Sequence, residues 1–324
     1  LPGLSEPEIV RHYTRVSQLN YSIDTGFYPL GSCTMKHNPR LNEKLARIPK
    51  LSDIHPFQPE STVQGAYEII NTLAQWLTTL TGLPSVALSP AAGAHGELCG
   101  MMAIKAAHNA KNQRQRTVVL VPDSAHGTNP ATASICGYKI ETIPSDTNGQ
   151  INKEALLKRL SSDIAAVMIT NPNTCGLFEK SAVSLASDIH AAGAYFYMDG
   201  ANFNAIVGQV TMADLGVDAM HINLHKTFST PHGGGGPGAG PTVLSEALAP
   251  FAPVPFLTVN EDGSFHMIEH AGRDNAKQSF GRLKGFQGQF GVYVRALSYI
   301  LSLGIDGLRQ VSSDAVLNAN YLRV

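Results

Sequence analysis

The sequence has 324 residues, with 24 Lys+Arg against 25 Asp+Glu and a formal net charge of −1. No basic excess exists to neutralise a phosphate backbone, which argues against a nucleic-acid-binding role. Charged residues make up 15% and hydrophobic residues 43%. A charge fraction below the roughly 25% of an average domain predicts surface covered by another subunit.

In chain order, residues 1–60 read as an irregular arm, and residues 20–36, rich in turn formers, as an ordered loop. Residues 1–6 lack the basic and apolar stretches of a signal peptide, and the missing initial Met predicts a processed or cut chain. Across residues 61–81 the apolar positions Val63, Ile69, Ile70, Leu73, Trp76, Leu77 and Leu80 recur at helical spacing. Gly82 and Pro84 stop that helix. Short apolar runs follow at residues 85–88, 117–121, 138–143, 164–170, 194–198 and 218–223. Helical patterns at 95–108, 152–160 and 181–191 separate several of them. Strands alternating with helices predict an α/β fold with a mainly parallel sheet covered on both faces. Such sheets carry their chemistry beyond the carboxyl ends of the strands. Residues 249–273 read as Pro-rich loop and hairpin, and residues 285–303 and 305 onward as helix. No run reaches the ~20 apolar residues of a membrane helix. The cysteines Cys33, Cys99, Cys136 and Cys175 are too scattered for a zinc ribbon or a disulfide framework and suit a reducing compartment.

Four segments carry candidate chemistry. Lys226 follows an apolar strand and precedes Gly233-Gly234-Gly235-Gly236. A desolvated Lys at a sheet edge is a nucleophile able to form a Schiff base with an aldehyde cofactor. Asp199 ends the strand Tyr195-Phe196-Tyr197-Met198 and suits a protonated pyridine nitrogen. The turn Ala91-Ala92-Gly93-Ala94 opens a helix, whose free N–H groups suit a phosphate. His126 follows another strand end, where it suits stacking on an aromatic ring. Each has an ordinary structural reading: an exposed Lys beside a loop, a turn-initiating Asp, a plain strand–helix turn, a capping His. Taken together at the strand ends of one sheet, they specify pyridoxal phosphate (PLP). Metal binding by His221 and His225 is the competing use. A strand followed by a turn keeps those two off one face, so no metal site is expected.

Several segments resemble the PLP-binding subunit of the glycine dehydrogenase (decarboxylating) family, the P-proteins of the glycine cleavage system. They are Phe27-Tyr28-Pro29-Leu30-Gly31-Ser32-Cys33-Thr34-Met35-Lys36, Ala92-Gly93-Ala94-His95-Gly96-Glu97, Ala125-His126-Gly127-Thr128-Asn129-Pro130, Asn171-Pro172-Asn173-Thr174, Met198-Asp199-Gly200-Ala201-Asn202 and Asn223-Leu224-His225-Lys226-Thr227-Phe228. The first is similar to the two-subunit bacterial type. The resemblance implies a fold-type I PLP-dependent transferase large domain. Lys226 would bind the cofactor covalently, Asp199 would partner the ring nitrogen, His126 would stack on the ring and Ala201 would lie on its other face. Gly93, Ala94 and His225 would serve the phosphate, and Thr174 the ring hydroxyl. The expected division is an arm at 1–60, the PLP-binding α/β domain at 61–285, and helices at 286–324 leading toward a missing small C-terminal domain.

The implied activity is decarboxylation of glycine, with transfer of the aminomethyl group to the lipoyl arm of an H-protein. The implied partners are a companion P-protein subunit in a hetero-oligomer, an aminomethyltransferase and a dihydrolipoyl dehydrogenase. The expected location is bacterial cytoplasm rather than mitochondrial matrix. Residues 28–36 would rim the entry for the lipoyl arm, where Cys33 is either a participant or a structural thiol. Cys175 stands where the family suggests an aliphatic residue. The alternatives are a catalytically silent scaffold subunit and another fold-type I decarboxylase or a desulfurase.

Overall fold

The computed structural model describes residues 3–20, 24–26, 37–231 and 238–324. The stretch at 27–36, with Cys33, and the glycine run at 233–236 lie outside the described residues. Helices α1 (Glu6–Ser17), α2 (Arg40–Ala46), α3 (Pro49–Ser52) and α4 (Gln64–Thr81) come first. Then follow β1 (Ser85–Ala87), α5 (Gly93–Ala110), β2 (Val118–Pro122), α6 (Thr128–Ile135), β3 (Lys139–Ile143), α7 (Lys153–Arg159) and β4 (Ile164–Thr170). The chain continues through α8 (Ala182–Ala191), β5 (Tyr195–Gly200), β6 (Ala219–Ile222), α9 (Leu224–Thr227), β7 (Thr242–Leu244), the hairpin β8 (Phe256–Val259) and β9 (Phe265–Ile268), and α10 (Phe290–Arg323).

Seven strands form one sheet in the order β1-β7-β6-β5-β4-β2-β3. The pairs from β6 through β3 are parallel, and β7 runs antiparallel to both β6 and β1. All the strands except β7 therefore end at one edge. Every residue of β4 and β5 is buried, as expected for central parallel strands covered on both faces. Side chains alternate between the faces. Leu120, Val167, Ile169, Phe196 and Met198 enter one core with Leu73, Leu185 and Ile300. Val119, Val121, Ala166, Met168 and Tyr197 enter the other, with Met101 and Ile104 of α5. Full burial of such side chains contributes about 1.5–3 kcal/mol each.

One carboxylate ties the opposite edge together. Asp218 accepts hydrogen bonds from the Phe196 amide at 2.8 Å and the Ser245 hydroxyl at 3.2 Å, and it meets His190 Nε2 of α8 at 2.7 Å. That contact raises the imidazole pKa of His190, with burial opposing it.

One expectation changes. Among its described residues the arm at 1–60 forms α1, α2 and α3 in place of irregular structure. The Ser5 amide donates to the Glu8 carboxylate at 2.8 Å, closing the start of α1. Arg295 of α10 donates from Nε and Nη2 to both oxygens of Glu43, at 2.9 and 3.0 Å, which docks α2. The connection from β5 to β6 holds a 3-10 turn, Phe203–Ala205. β7 goes unseen in the sequence because three buried residues are too few to show a period.

α10 is broken at Gly304, whose φ of 63° and ψ of −175° are not helical. Only glycine occupies that region without strain. Gly304→Ala is expected to cost about 1–3 kcal/mol of stability, read as a shift of the urea midpoint at unchanged m-value.

Candidate active site

The shared strand edge collects the candidate residues because parallel strands deliver their following residues to the same side. Gly93 and Ala94 follow β1, His126 follows β2, Thr174 follows β4, Asp199 and Ala201 sit at the end of β5, and His225 and Lys226 form the turn of helix after β6. The antiparallel β7 begins at this edge, which brings Gly238 and Gly240 to it as well.

At the centre lies Asp199, 1% exposed. Its Oδ1 accepts from the Ala201 amide at 2.8 Å, and its Oδ2 accepts from Asn129 Nδ2 at 2.9 Å. His221 Nε2, on the neighbouring strand, stands 3.4 Å from Oδ1. Burial works against the charge, yet the facing His221 ring, the Asn129 amide and the Ala201 amide hold the carboxyl pKa below the ordinary range. Burial also pushes the His221 pKa down. The other ring nitrogen of His221, Nδ1, lies 2.7 Å from the Tyr197 hydroxyl, itself buried and pushed to a raised pKa mainly by that burial. A hydroxyl that keeps its proton donates to Nδ1, which places the imidazole hydrogen on Nε2, toward Asp199. The result is a fixed anion at the floor of the edge.

Asn129 Nδ2 also donates to Glu97 Oε2 at 3.0 Å, and Asn129 Oδ1 accepts from the Thr170 hydroxyl at 3.3 Å. Thr170 Oγ1 in turn accepts from the His126 amide at 3.1 Å. One atom each of Glu97, His126 and Asp199 lie within 4.8 Å of one another. The Asn129 amide fills the space between the two carboxyls with hydrogens, an arrangement suited to a polar network.

Lys226 is 9% exposed and close enough to Glu97 and His221 for its charge to act on both. It borders a 260 Å³ cavity with Thr227, Ser229, Asn202 and Tyr299. Thr227 Oγ1 and, at the end of the β1 turn, Ser89 Oγ are buried with no hydrogen-bond partner among the described residues. A buried hydroxyl without a partner is costly, and an incoming polar group relieves it. His225 Nδ1 accepts from the Ala239 amide at 3.4 Å. At the start of α5 the backbones are as close as atoms allow. A Cβ on Gly240 would fall 2.0 Å from the Ala92 carbonyl oxygen, and one on Gly93 would fall 2.7 Å from Asn223 Oδ1. The first N–H groups of α5, including those of Gly93 and Ala94, lack intrahelical acceptors, an arrangement that suits an anion. A buried carboxylate, a shielded amine, orphaned hydroxyls and a helix start make a donor set that fits pyridoxal phosphate.

His126 is exposed, its Nδ1 accepting from the Thr128 amide at 3.2 Å. Thr174 is exposed, and its hydroxyl donates to the Ser124 carbonyl at 2.7 Å. Cys175 is an exposed free thiol. Asn129 and Tyr197 stand in quoted segments of the sequence without a role, and Thr170 is singled out by no motif. Glu97 is likewise quoted without a role, and His221 is weighed only as a metal ligand. The available signal was the pair of acids, Glu97 and Asp199, in segments already assigned to one edge, since two buried carboxyls demand a shared donor.

A family model for aminotransferase class-V matches residues 97–237. The chain is 66% identical over 323 residues to the probable glycine dehydrogenase (decarboxylating) subunit 2 of Caulobacter vibrioides, covering 100% of this chain and 62% of that protein. It is 53% identical over 322 residues to the similarly described protein of Pyrococcus furiosus, covering 99% and 63%. Among solved structures it is similar to the glycine decarboxylase (P-protein) of the glycine cleavage system in inhibitor-bound form. There the TM-score is 0.76 at 22% identity, over 96% of this chain and 70% of that one. Mouse CSAD gives a TM-score of 0.72 at 15% identity, over 99% and 68%. Likeness to glycine dehydrogenase (decarboxylating) subunit 2 thus runs the whole length of this chain, and the fold is that of the fold-type I PLP enzymes. The chain spans less than two thirds of the length of these two curated relatives.

The close approach of α5 to the sheet is testable. A Cβ at Gly96 would lie 2.5 Å from the Gly240 carbonyl oxygen and 2.7 Å from the His221 Cβ. Gly96→Ala is expected to cost about 1–3 kcal/mol by overpacking, measured by urea unfolding.

Proposed function

We propose that this chain holds pyridoxal phosphate over Asp199 and belongs to a glycine-decarboxylating subunit that passes the aminomethyl group to the lipoyl arm of an H-protein. The observation that carries this is the buried Asp199 carboxyl, held by Asn129 and the Ala201 amide, at the same strand edge as the shielded Lys226 amine. In this reading residues 61–285 form the cofactor-binding unit, residues 1–60 the arm, and residues 286–324 the lead into the remaining portion. A companion P-protein subunit, an aminomethyltransferase and a dihydrolipoyl dehydrogenase complete the system. The relatives named above are bacterial and archaeal, which favours cytoplasm over a mitochondrial matrix; among the described residues no helix is long and apolar enough to cross a membrane.

When bound, the cofactor supplies an electron-withdrawing ring that accepts the electron pair left as carbon dioxide departs. The chain supplies the rest. Lys226 Nζ would hold the cofactor covalently. Asp199 would keep a proton on the ring nitrogen, its own geometry fixed by Asn129 and the Ala201 amide. His126 and Ala201 would lie beside the ring. Gly93 and Ala94 would donate backbone N–H groups to the phosphate, with His225 beside them, and Thr174 would serve the ring hydroxyl. Glycine would be oriented at this same strand edge.

Borohydride treatment of the cofactor-loaded protein is expected to leave a pyridoxyl group on the Lys226 peptide, and Lys226→Ala to leave none. Asp199→Asn is expected to weaken cofactor binding about 10–100-fold, the loss of a charge-assisted hydrogen bond. In the full-length subunit with H-protein, glycine-dependent exchange of labelled bicarbonate separates glycine decarboxylation from other decarboxylase or desulfurase chemistry. No exchange and no adduct would point to a silent partner subunit.

A further inference from the structure

We propose that Glu97 is a positioning residue that stays in its neutral carboxylic-acid form beside Asp199, so that the floor of the site carries one negative charge and Asn129 stays aimed at it. The geometry is that of two buried carboxyls joined by one amide. Glu97 is 2% exposed and sits one turn into α5. Its Oε2 accepts from Asn129 Nδ2 at 3.0 Å and from Thr132 Oγ1 at 3.4 Å. The same Nδ2 donates to Asp199 Oδ2 at 2.9 Å. Two carboxylates this close cannot both ionise without strong repulsion in a low dielectric.

Which one keeps the proton follows from their surroundings. Asp199 has the Ala201 amide, His221 and Asn129; Glu97 has only the two neutral side chains. The charged and titratable groups facing Glu97 are Asp199 and Tyr197 from β5, Lys226 from α9 and His126 from the loop before α6. Of these Lys226 favours ionisation, while burial and Asp199 oppose it and prevail, pushing the Glu97 carboxyl up to about 8.

A charged Glu97 would compete with Asp199 for Asn129 and leave a second buried anion at the floor. A missing one would leave Asn129 free to rotate away from Asp199. The consequence for the ring rests on the cofactor reading above; the protonation state itself does not.

The first test needs no cofactor. Thermal stability is measured against pH for the unaltered chain and for Glu97→Gln, which mimics the neutral acid. The folded Glu97 pKa lies above the ordinary glutamate value of about 4.5. Its contribution is therefore complete below about pH 4.5 and fades as the pH rises through about 8. Glu97→Gln lacks that loss, so its Tm advantage is expected to widen steadily across this window. Parallel curves would mean that Glu97 is already ionised and would overturn the proposal.

The second test reads cofactor binding by dialysis with borohydride trapping. Glu97→Ala is expected to weaken it about tenfold, in line with one lost buried hydrogen bond, and Glu97→Gln to restore it to within about twofold. A Gln variant as poor as the Ala variant would refute the positioning role. A wild-type chain that takes up no cofactor would remove the cofactor reading, while the pH comparison would still decide the state of Glu97. Should Glu97→Ala fail to fold, the Gln comparison in both tests stands.

Discussion

A carboxylate buried to 1% exposure is the constraint around which this site is built. An isolated charge in such a place costs far more than any single packing contact returns, so it persists only where donors surround it. Asp199 has them from three directions: the chain itself two residues on at Ala201, the side chain of Asn129 on α6, and His221 on the next strand. Each donor is in turn held. Tyr197 fixes the tautomer of His221, and Thr170 with Glu97 fixes the amide of Asn129. The network couples β4, β5, β6, α5 and α6, so the positions of these elements are specified more tightly than hydrophobic packing alone would require.

Sheet topology explains why one edge holds every candidate group. Right-handed strand–helix units return each strand in the same direction, and their following turns collect at one side. β7 breaks the rule, and in doing so it delivers Gly238 and Gly240 to that edge from the opposite direction. The small residues there are required by contact distance. Gly240 approaches the Ala92 carbonyl, and Gly96 approaches the Gly240 carbonyl and His221, within distances that no side chain allows. Close backbone approach lets the start of α5, with its unpaired N–H groups, stand beside the Asp199 floor, joining a helix start that suits an anion to a fixed negative charge.

The comparisons and the geometry agree on the fold. Likeness at 66% identity runs along all of this chain while covering 62% of the relative. The described residues contain the sheet, the start of α5, the carboxylate and the amine. Among the described residues the donors around Asp199 all come from this chain, whereas substrate selection and the route for a lipoyl arm belong to the proposal.

Much of this was legible in the sequence. The alternation of apolar strands with helices fixes a mainly parallel sheet, because period and burial are properties of consecutive residues. Residues 164–170 were bounded as they occur, and the interruption between residues 303 and 305 marks the break at Gly304. Asp199 and Lys226 stood out because strand ends are visible in one dimension. What the sequence did not determine is who meets whom. Nothing local reveals that Asn129 bridges Glu97 and Asp199 across 32 and 70 residues of chain, or that Tyr197 reaches His221 across 24. α2 carries little signal of its own because docking on α10 through Glu43 and Arg295 stabilises it, and local propensity contributes little in so short a helix. β7 escaped notice because its role comes from pairing with β1 and β6. The sequence by itself determined the order of elements and which residue types occupy the strand ends. Only the tertiary structure decided which buried charges share a donor, since electrostatics acts through space and the chain order does not encode distance.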